Sequence, residues 1–376
     1  MGSGYQVDMF DDLTVIPSLA EQLLQVKKGG IIHQQPADPF NFYSAKDIDL
    51  SQYDVAVVAS SSGKDSLCMI KRLLDLGFPK EKIEIIHHIV DGRGNPHFMD
   101  WPFIEDMTKK IGEALGIKTY FSWLDGGFKQ EMLKENCQSK PIVIETPEGF
   151  KTINRVRQKP GTRRMFPQTS GSLLTRWCSS ACKIEVGNKH ITHQDRFLGK
   201  NVLMCTGERR EESPGRAKFQ QLIRHSADTM RGSKNPRKPR IVDQWRPILH
   251  LSEEDVWQIL ADWRFISPVP YRLSWPRSSC MTCIFNGPKI WSTIYHHWPD
   301  RVHEIAEYEK EFGVTICRTG QNILERALST SPLEIDDSEA LAQAMDTEYK
   351  LPLFNKPEEN WELPPGAFAS ESAGAI

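Results

Sequence analysis

The sequence predicts an α/β protein: a doubly wound parallel sheet followed by a mainly helical C-terminal extension. Three observations carry this. Short apolar runs alternate with amphipathic helical stretches between residues 53 and 123, the order that builds right-handed crossovers and hence a parallel sheet. The first strand runs into a Ser/Gly loop that opens a helix, the position where such sheets hold ligands. After residue 240 the texture changes to helical periodicity.

Residues 1–50 read as an N-terminal extension with one helical patch, SLAEQLLQV. YDVAVVAS, residues 53–60, is the first buried strand. DSLCMIKRLLDLG follows as a helix, with Leu67, Ile70, Leu73 and Leu74 at its apolar positions and Gly77 as its C-terminal cap. KIEIIHHIVD is a second strand ending at Asp91, WPFIEDMTKKIGEALG a helix closed by Gly116, and IKTYFSW a third strand. NVLMCTG, residues 201–207, is a later one. In LSEEDVWQILADW, Ser252 is placed to cap the helix and Asp255 to return the bond. RSSCMTCIF and a helix around DRVHEIAEYEKEFG follow. MRGSKNPRKPR, residues 230–240, carries too many Gly, Pro and basic residues for a regular element. From about residue 331 the chain is acidic and Pro-rich, a packed or mobile tail. There is no internal repeat.

Composition narrows the classes. A chain of 376 residues holds one large domain with additions, or two domains. With 39% apolar and 26% charged residues the balance is that of a globular protein. No apolar run approaches the ~18 residues that span a bilayer. MGSGYQVDMF lacks the apolar segment of a secretion signal, and Gln6 stands where myristoylation needs Ser or Thr. A cytoplasmic location is therefore expected. Eight cysteines in this length do not suggest a disulfide scaffold, and in a reducing compartment clustered cysteines point to metal or catalysis. The net charge of −2 is unevenly spread. Residues 151–240 hold 21 Lys and Arg against 6 Asp and Glu, whereas residues 300–376 hold 6 against 16. The middle of the chain is expected to face something anionic, nucleic acid among the candidates.

The loop after the first strand fails the Walker A test twice. Asp65 follows Gly63-Lys64, and Val58 stands where the first glycine is required. The stretch Ser61-Ser62-Gly63-Lys64-Asp65-Ser66 offers a different anion site. Backbone N–H groups of a tight turn, aimed with a helix N-terminus, form a nest for phosphate. Ser61 and Ser66 add hydroxyls and Lys64 a charge. Asp65 would be repelled by bare phosphate, so it caps the helix or reaches Mg²⁺. On spacing alone an ordinary capped turn would look the same.

These six residues resemble the PP-loop, Ser-Gly-Gly-x-Asp-Ser, of the N-type ATP pyrophosphatases, the adenine nucleotide alpha hydrolase-like superfamily. Ser62 replaces the first glycine of that pattern. GERREESPGR, residues 207–216, resembles the Gly-x-Arg-x-x-Glu-Ser-x-x-Arg motif of the phosphoadenosine-phosphosulfate (PAPS) reductase branch. RWCSSACKIE, residues 176–185, resembles the Arg-x-Cys-x-x-x-Leu-Lys-Ile segment of that branch and of the DNA phosphorothioation protein DndC. RPILHLSEEDVWQIL resembles the segment after it. The motifs keep the family's order over about residues 50–315.

The resemblance implies a five-stranded parallel sheet that binds an adenine nucleotide and cuts ATP between its α and β phosphates, leaving AMP on an acceptor. On this reading residues 51–250 are the PP-loop nucleotide-binding domain, 251–330 a helical region with a CxxC pair, and 331–376 the acidic tail. Ser61, Ser62, Gly63, Lys64, Asp65, Ser66, Asp91, Gly207, Glu212 and Ser213 would hold ATP. Attack at an α phosphate builds negative charge that needs cations and donors. Lys64, Asp65, Arg209, Arg216 and Lys183 are the catalytic candidates, with Mg²⁺ beside Asp65.

Cys178 with Cys182, and Cys280 with Cys283, are two close pairs about 100 residues apart. Brought together they would give a four-thiolate site. The resemblance adds [4Fe–4S] relatives with cysteines in both regions, though Cys182 stands where the pattern has Leu. A [4Fe–4S] cluster, zinc and plain reduced cysteines all remain open. Cys68, Cys137, Cys205 and Cys317 lack spacing and read as core or incidental. His296, His297 and His303 read as packing at a helix end.

The leading functional expectation is an ATP-dependent adenylating enzyme that prepares an acceptor for sulfur, on nucleic acid in the manner of DNA phosphorothioation, with a sulfur-donor protein as a further partner. The alternative is a PAPS or adenylylsulfate reductase. Such reductases use a cysteine in a C-terminal Glu-Cys-Gly-x-His segment, and no cysteine follows Cys317 here, which ranks that alternative lower. A nucleotide-sensing module without catalysis is the third.

Overall fold

The computed structural model describes residues 48–155, 158–231, 237–317 and 319–369. The helical patch expected at SLAEQLLQV lies outside these, as do residues 232–236 of the basic loop. Among the described residues eight strands form one sheet: β1 (Val55–Ser60), β2 (Ile83–His88), β3 (Lys118–Leu124), β4 (Ile142–Thr146), β5 (Gly149–Ile153), β6 (Asn201–Cys205), β7 (Leu222–Arg224) and β8 (Ile241–Trp245). Their order is β5-β4-β3-β2-β1-β6-β8-β7. The central strands β3, β2, β1, β6 and β8 are parallel, and β4, β5 and β7 add antiparallel edges. The predicted doubly wound parallel sheet is therefore present, enlarged at both sides.

Helices cover both faces because strand residues alternate sides. Ala56, Val58, Ile83 and Ile85 join the core beneath α1 (Lys64–Asp75) and α2 (Ile104–Leu115). Val57, Ile86, Val202 and Val242 face the other way, against Ile191 of α4 (Glu185–Thr192). Between them in sequence lies the short α3 (Gly127–Met132). The α4 run is preceded by Trp177–Ser179 and a π-helical turn, Ser180–Ile184; π turns inside helices concentrate at functional positions. Gly116 ends α2 with φ 62°, a left-handed conformation that costs a glycine little. Strand order reverses at β1, since β2 lies on one side and β6 on the other. Ligands bind such sheets at this crevice, beyond the strand C-termini.

After β8 the chain is helical: α5 (Glu253–Asp262), α6 (Val269–Arg272), α7 (Pro288–His297), α8 (Pro299–Phe312), α9 (Ile323–Leu328) and α10 (Ser338–Gln343). The expected capping box holds: Ser252 Oγ accepts the Asp255 N–H at 3.0 Å, and Asp255 Oδ2 accepts the Ser252 N–H at 2.7 Å. The acidic segment after residue 331 is packed. Ala340, Ala344, Tyr349, Trp361 and Ala367 belong to the main core, and Trp361 Nε1 donates to Phe265 O at 2.8 Å. No helix among the described residues is long and apolar enough to cross a membrane.

Three histidines lie inside. His87 Nδ1 donates to the Ser60 carbonyl at 2.9 Å, while His88 Nδ1 and both ring nitrogens of His190 have no partner. Burial pushes His87 down to about 4, His88 down to about 3, and His190 well below its usual value. The unfolded chain therefore takes up protons near pH 6.5 that the folded chain refuses, and stability falls as pH drops below that point. Asp100 opposes this, because burial and the neighbouring Asp91 charge raise it to about 7. Asp91 and Glu309 are raised as well, but His193 and His250, each lowered to about 4, join the other side, and the histidines outweigh the carboxyls. The urea midpoint at pH 5 is expected to lie below that at pH 7.5, by about 1.4 kcal/mol per pH unit for each net proton. Equal midpoints would show that the imidazoles are open to water.

Candidate nucleotide site

The loop Ser61–Gly63 joins β1 to α1 at the switch point. Ser62 has φ 56°, so the residue that replaces a glycine of the PP-loop pattern adopts the left-handed conformation glycine favours, at roughly 1 kcal/mol of strain. Two bonds hold it there: its N–H donates to Ser60 Oγ at 3.0 Å, and its Oγ meets Thr108 Oγ1 at 2.6 Å. Gly63 stands at the N-terminus of α1, and no side chain caps this positive helix end, the kind of end that anions bind. Ser66 Oγ accepts the Ser61 N–H at 3.0 Å and lies 3.2 Å from Ser61 Oγ, which ties the loop back on the helix.

Charge gathers beside this turn. Lys64 is buried, with Nζ 3.5 Å from Asp65 Oδ2 and 3.5 Å from Glu253 Oε1. It lies over the rings of Tyr271 and Trp257, 5.3 Å and 5.8 Å from their centroids. Burial alone would lower its pKa, but Asp65 and Glu253 reverse that and raise it, so Lys64 is charged at neutral pH. Arg209, 3% exposed, donates from Nε to Asp65 Oδ1 at 2.7 Å and also pairs with Glu211. Burial would raise the Asp65 carboxyl; Lys64 and Arg209 hold it below its usual range. Glu253, Trp257 and Tyr271 were not singled out in the sequence. Glu253 lay in plain view as the first residue after the Ser252 cap, but only its helix role was legible.

The segment 207–216 folds beside α1. A Cβ at Gly207 would come within 3.2 Å of Met69 Cε and 3.5 Å of Asp65 Cβ, so a glycine lets this strand end approach the helix. Glu212 Oε2 accepts the Arg209 N–H at 2.7 Å and pairs with Arg216 at 2.5 Å. Ser213 Oγ accepts the Arg216 N–H at 3.3 Å. Of this motif, Arg209 reaches the loop; Glu212, Ser213 and Arg216 bond among themselves.

A second group lies around Lys183. Asp91 does not present a free carboxylate: its oxygens accept the N–H groups of Phe98 and Met99 at 3.0 Å and of Asp100 at 2.8 Å. In this arrangement Asp91 shapes the 91–100 loop. That loop docks on the CxxC segment, where Trp101 Nε1 donates to Ser279 O and Thr282 Oγ1 to Phe98 O, both at 3.0 Å. Burial alone would lower the Lys183 pKa, but the neighbouring Cys280, Asp100, Cys178 and Cys283 reverse that and raise it. Burial raises the thiols of Cys178, Cys182 and Cys280. Asp100, a carboxyl poised near 7, carried no motif and was missed.

Among the described residues no group of three Cys, His, Asp or Glu side chains is arranged to hold a metal ion, so the structure gives the expected [4Fe–4S] or zinc site at Cys178, Cys182, Cys280 and Cys283 no support. Asp65, the expected neighbour of Mg²⁺, is already engaged by Arg209 and Lys64. The basic middle is also less free than its composition implied. Arg155, Arg163, Arg196 and Arg231 each meet a carboxylate.

A Ser/Gly loop at the switch point of a doubly wound sheet, running into a helix N-terminus and walled by a buried lysine and arginine, is a geometry suited to a phosphate-bearing ligand. Residues 143–267 match the family described as the Phosphoadenosine phosphosulfate reductase domain; this segment is PAPS reductase-like, and it holds the 176–185 and 207–216 motifs but not the Ser61–Ser66 loop. It is 24% identical over 274 residues to an uncharacterized 37.8 kDa protein in the gpa 5′ region of Escherichia phage 186, covering 68% of this chain and 75% of that one. Solved structures of Candida glabrata FMN adenylyltransferase are also similar. The ATP complex gives a TM-score of 0.33 at 10% identity over 77% of this chain and 70% of that one. The complex with FAD and inorganic pyrophosphate gives 0.32 at 10% identity over 77% and 73%. Overlap this loose says nothing of activity, and none is taken from it.

Proposed function

We propose that the chain binds ATP over Ser61–Ser66 and cleaves it to AMP and pyrophosphate, adenylating an acceptor so that sulfur can be transferred to it. The observation that carries this is the α1 N-terminus, which no side chain caps and which Lys64 and Arg209 flank. The free first-turn N–H groups hold phosphate oxygens. Lys64 exchanges Glu253 for the phosphates, and Asp65 keeps Arg209 in place beside them. Lys183 offsets charge that develops near the acceptor, and Asp100, with a carboxyl near 7, takes the acceptor's proton. The basic stretch supports a nucleic-acid acceptor.

Reduction of a PAPS-like sulfonucleotide is the second reading. One observation favours it: the thiols of Cys178, Cys280 and Cys283 are neighbours of Lys183.

Calorimetry tests the first reading. Lys64→Ala and Ser66→Ala are each expected to weaken ATP binding about 10- to 100-fold, the loss of one charge-assisted bond. Wild-type affinity in both would remove the loop from the site.

A further inference from the structure

Two arginines stand against one aromatic ring. The guanidinium of Arg277 lies 5.2 Å from the Phe285 centroid and that of Arg176 lies 6.0 Å from it. They come from different parts of the chain. Arg176 immediately precedes the Trp177–Ser179 turn, and Arg277 precedes the CxxC loop. Neither meets a carboxylate among the described residues, and Arg176 Nε and Arg277 Nη1 are buried without a hydrogen-bond partner. This contrasts with Arg163, which lies over Trp177 and is paired with Glu131 at 2.8 Å. Like charges held near one another with unmet donors raise the free energy of the empty fold. An oxyanion would relieve both costs, because guanidinium groups match phosphate and sulfate with paired donors.

Ser278, next after Arg277 in the chain, borders the nucleotide loop. It is 8% exposed, and its Oγ is buried with no partner. Its Cβ lies 2.9 Å from where a Cβ on Gly63 would stand, so the unpaired hydroxyl is at the mouth of the α1 N-terminus. Buried hydroxyls are normally bonded, and no protein group meets this one.

We propose that Arg176, Arg277 and Ser278 form an oxyanion subsite adjoining the Ser61–Ser66 loop, taking a phosphate or sulfate group of the substrate. This rests on the nucleotide reading above for its neighbour, not for its own chemistry. The oxyanion could be supplied by the nucleotide's own phosphates or by a second molecule.

The test uses the full chain, with inorganic sulfate, AMP and ATP as probes, followed by calorimetry and thermal melting. Sulfate is expected to raise the wild-type melting temperature. Arg176→Gln and Arg277→Gln should weaken sulfate binding at least 10-fold, and Ser278→Ala more mildly. Ligand-free Arg277→Gln should melt no lower than wild type, since a repulsion is removed; a purely structural arginine would not behave so. If ATP displaces sulfate, and Arg277→Gln weakens ATP but not AMP, the oxyanion is the nucleotide's. If ATP and sulfate bind together, and Arg277→Gln leaves ATP affinity intact, it belongs to a second molecule. Either result supports the subsite. Unchanged sulfate affinity in folded Arg176→Gln and Arg277→Gln overturns it, as does a lowered ligand-free melting temperature in both with sulfate protection intact. The two readings fail separately. No ATP binding by wild type, with sulfate protection still dependent on the arginines, sinks the loop alone; ATP lost in Lys64→Ala, with sulfate indifferent to the arginines, sinks the subsite alone.

Discussion

Replacing Arg209 by alanine is expected to cost about 3 kcal/mol of folding stability, the low end of the penalty for breaking a buried ion pair, because Asp65 loses its closer partner. Arg209 is 3% exposed and holds Asp65 at 2.7 Å. Without it Asp65 retains Lys64 at 3.5 Å, and Glu211 loses a neighbour as well. Arg216 belongs to the same motif, yet its partner is Glu212 on a part-exposed surface; Arg216→Ala is expected to cost no more than about 0.5 kcal/mol. Urea unfolding of the two variants reads the difference directly. Equal small losses would mean that Asp65 is hydrated and that Arg209 does not anchor it.

Gly63→Ala is expected to destabilise the protein by about 1–3 kcal/mol, the range for overpacking a filled site, and to weaken ATP binding with it. The backbone is not the reason, since φ at Gly63 is −87° and alanine adopts that freely. The added methyl would stand 2.9 Å from Ser278 Cβ and 3.3 Å from Tyr271 Oη, so the C-terminal loop would have to lift from the nucleotide loop. Ser278→Gly in the same chain removes the nearest obstacle and should recover part of the stability, a coupling that contacting residues show and distant ones do not. A Gly63→Ala protein as stable as wild type would show that the two loops are not packed together.

The central sheet was legible because burial on both faces writes continuous apolar runs such as VAVVA and IEII, and because glycines such as Gly116 mark helix ends. The β4–β5 hairpin was not read. Its strands IVIET and GFKTI are short edge elements, and the residues of β5 are mostly exposed, so little apolar pattern remains. The Ser/Gly turn between β1 and α1 was legible from a local string, as was the Ser252 cap. What the string could not reveal was partnership across the fold. Nothing in the sequence pairs Lys64 with Glu253, sets Ser278 against Gly63, or turns the Asp91 carboxylate into its own loop. The cysteine pairs show a related limit: spacing gave a plausible ligand set, but it cannot report the geometry that a metal ion needs, and no metal-holding group is found among the described residues.

The most direct test follows the label of α-³²P-ATP, supplied as its magnesium complex with nucleic-acid and small-molecule acceptors, through incubation with the full chain and chromatography of the products. The PP-loop account predicts label in AMP or in an adenylated acceptor, with pyrophosphate released in equal amount, and loss of both in Lys64→Ala. Label appearing in ADP, with inorganic phosphate released, would contradict it.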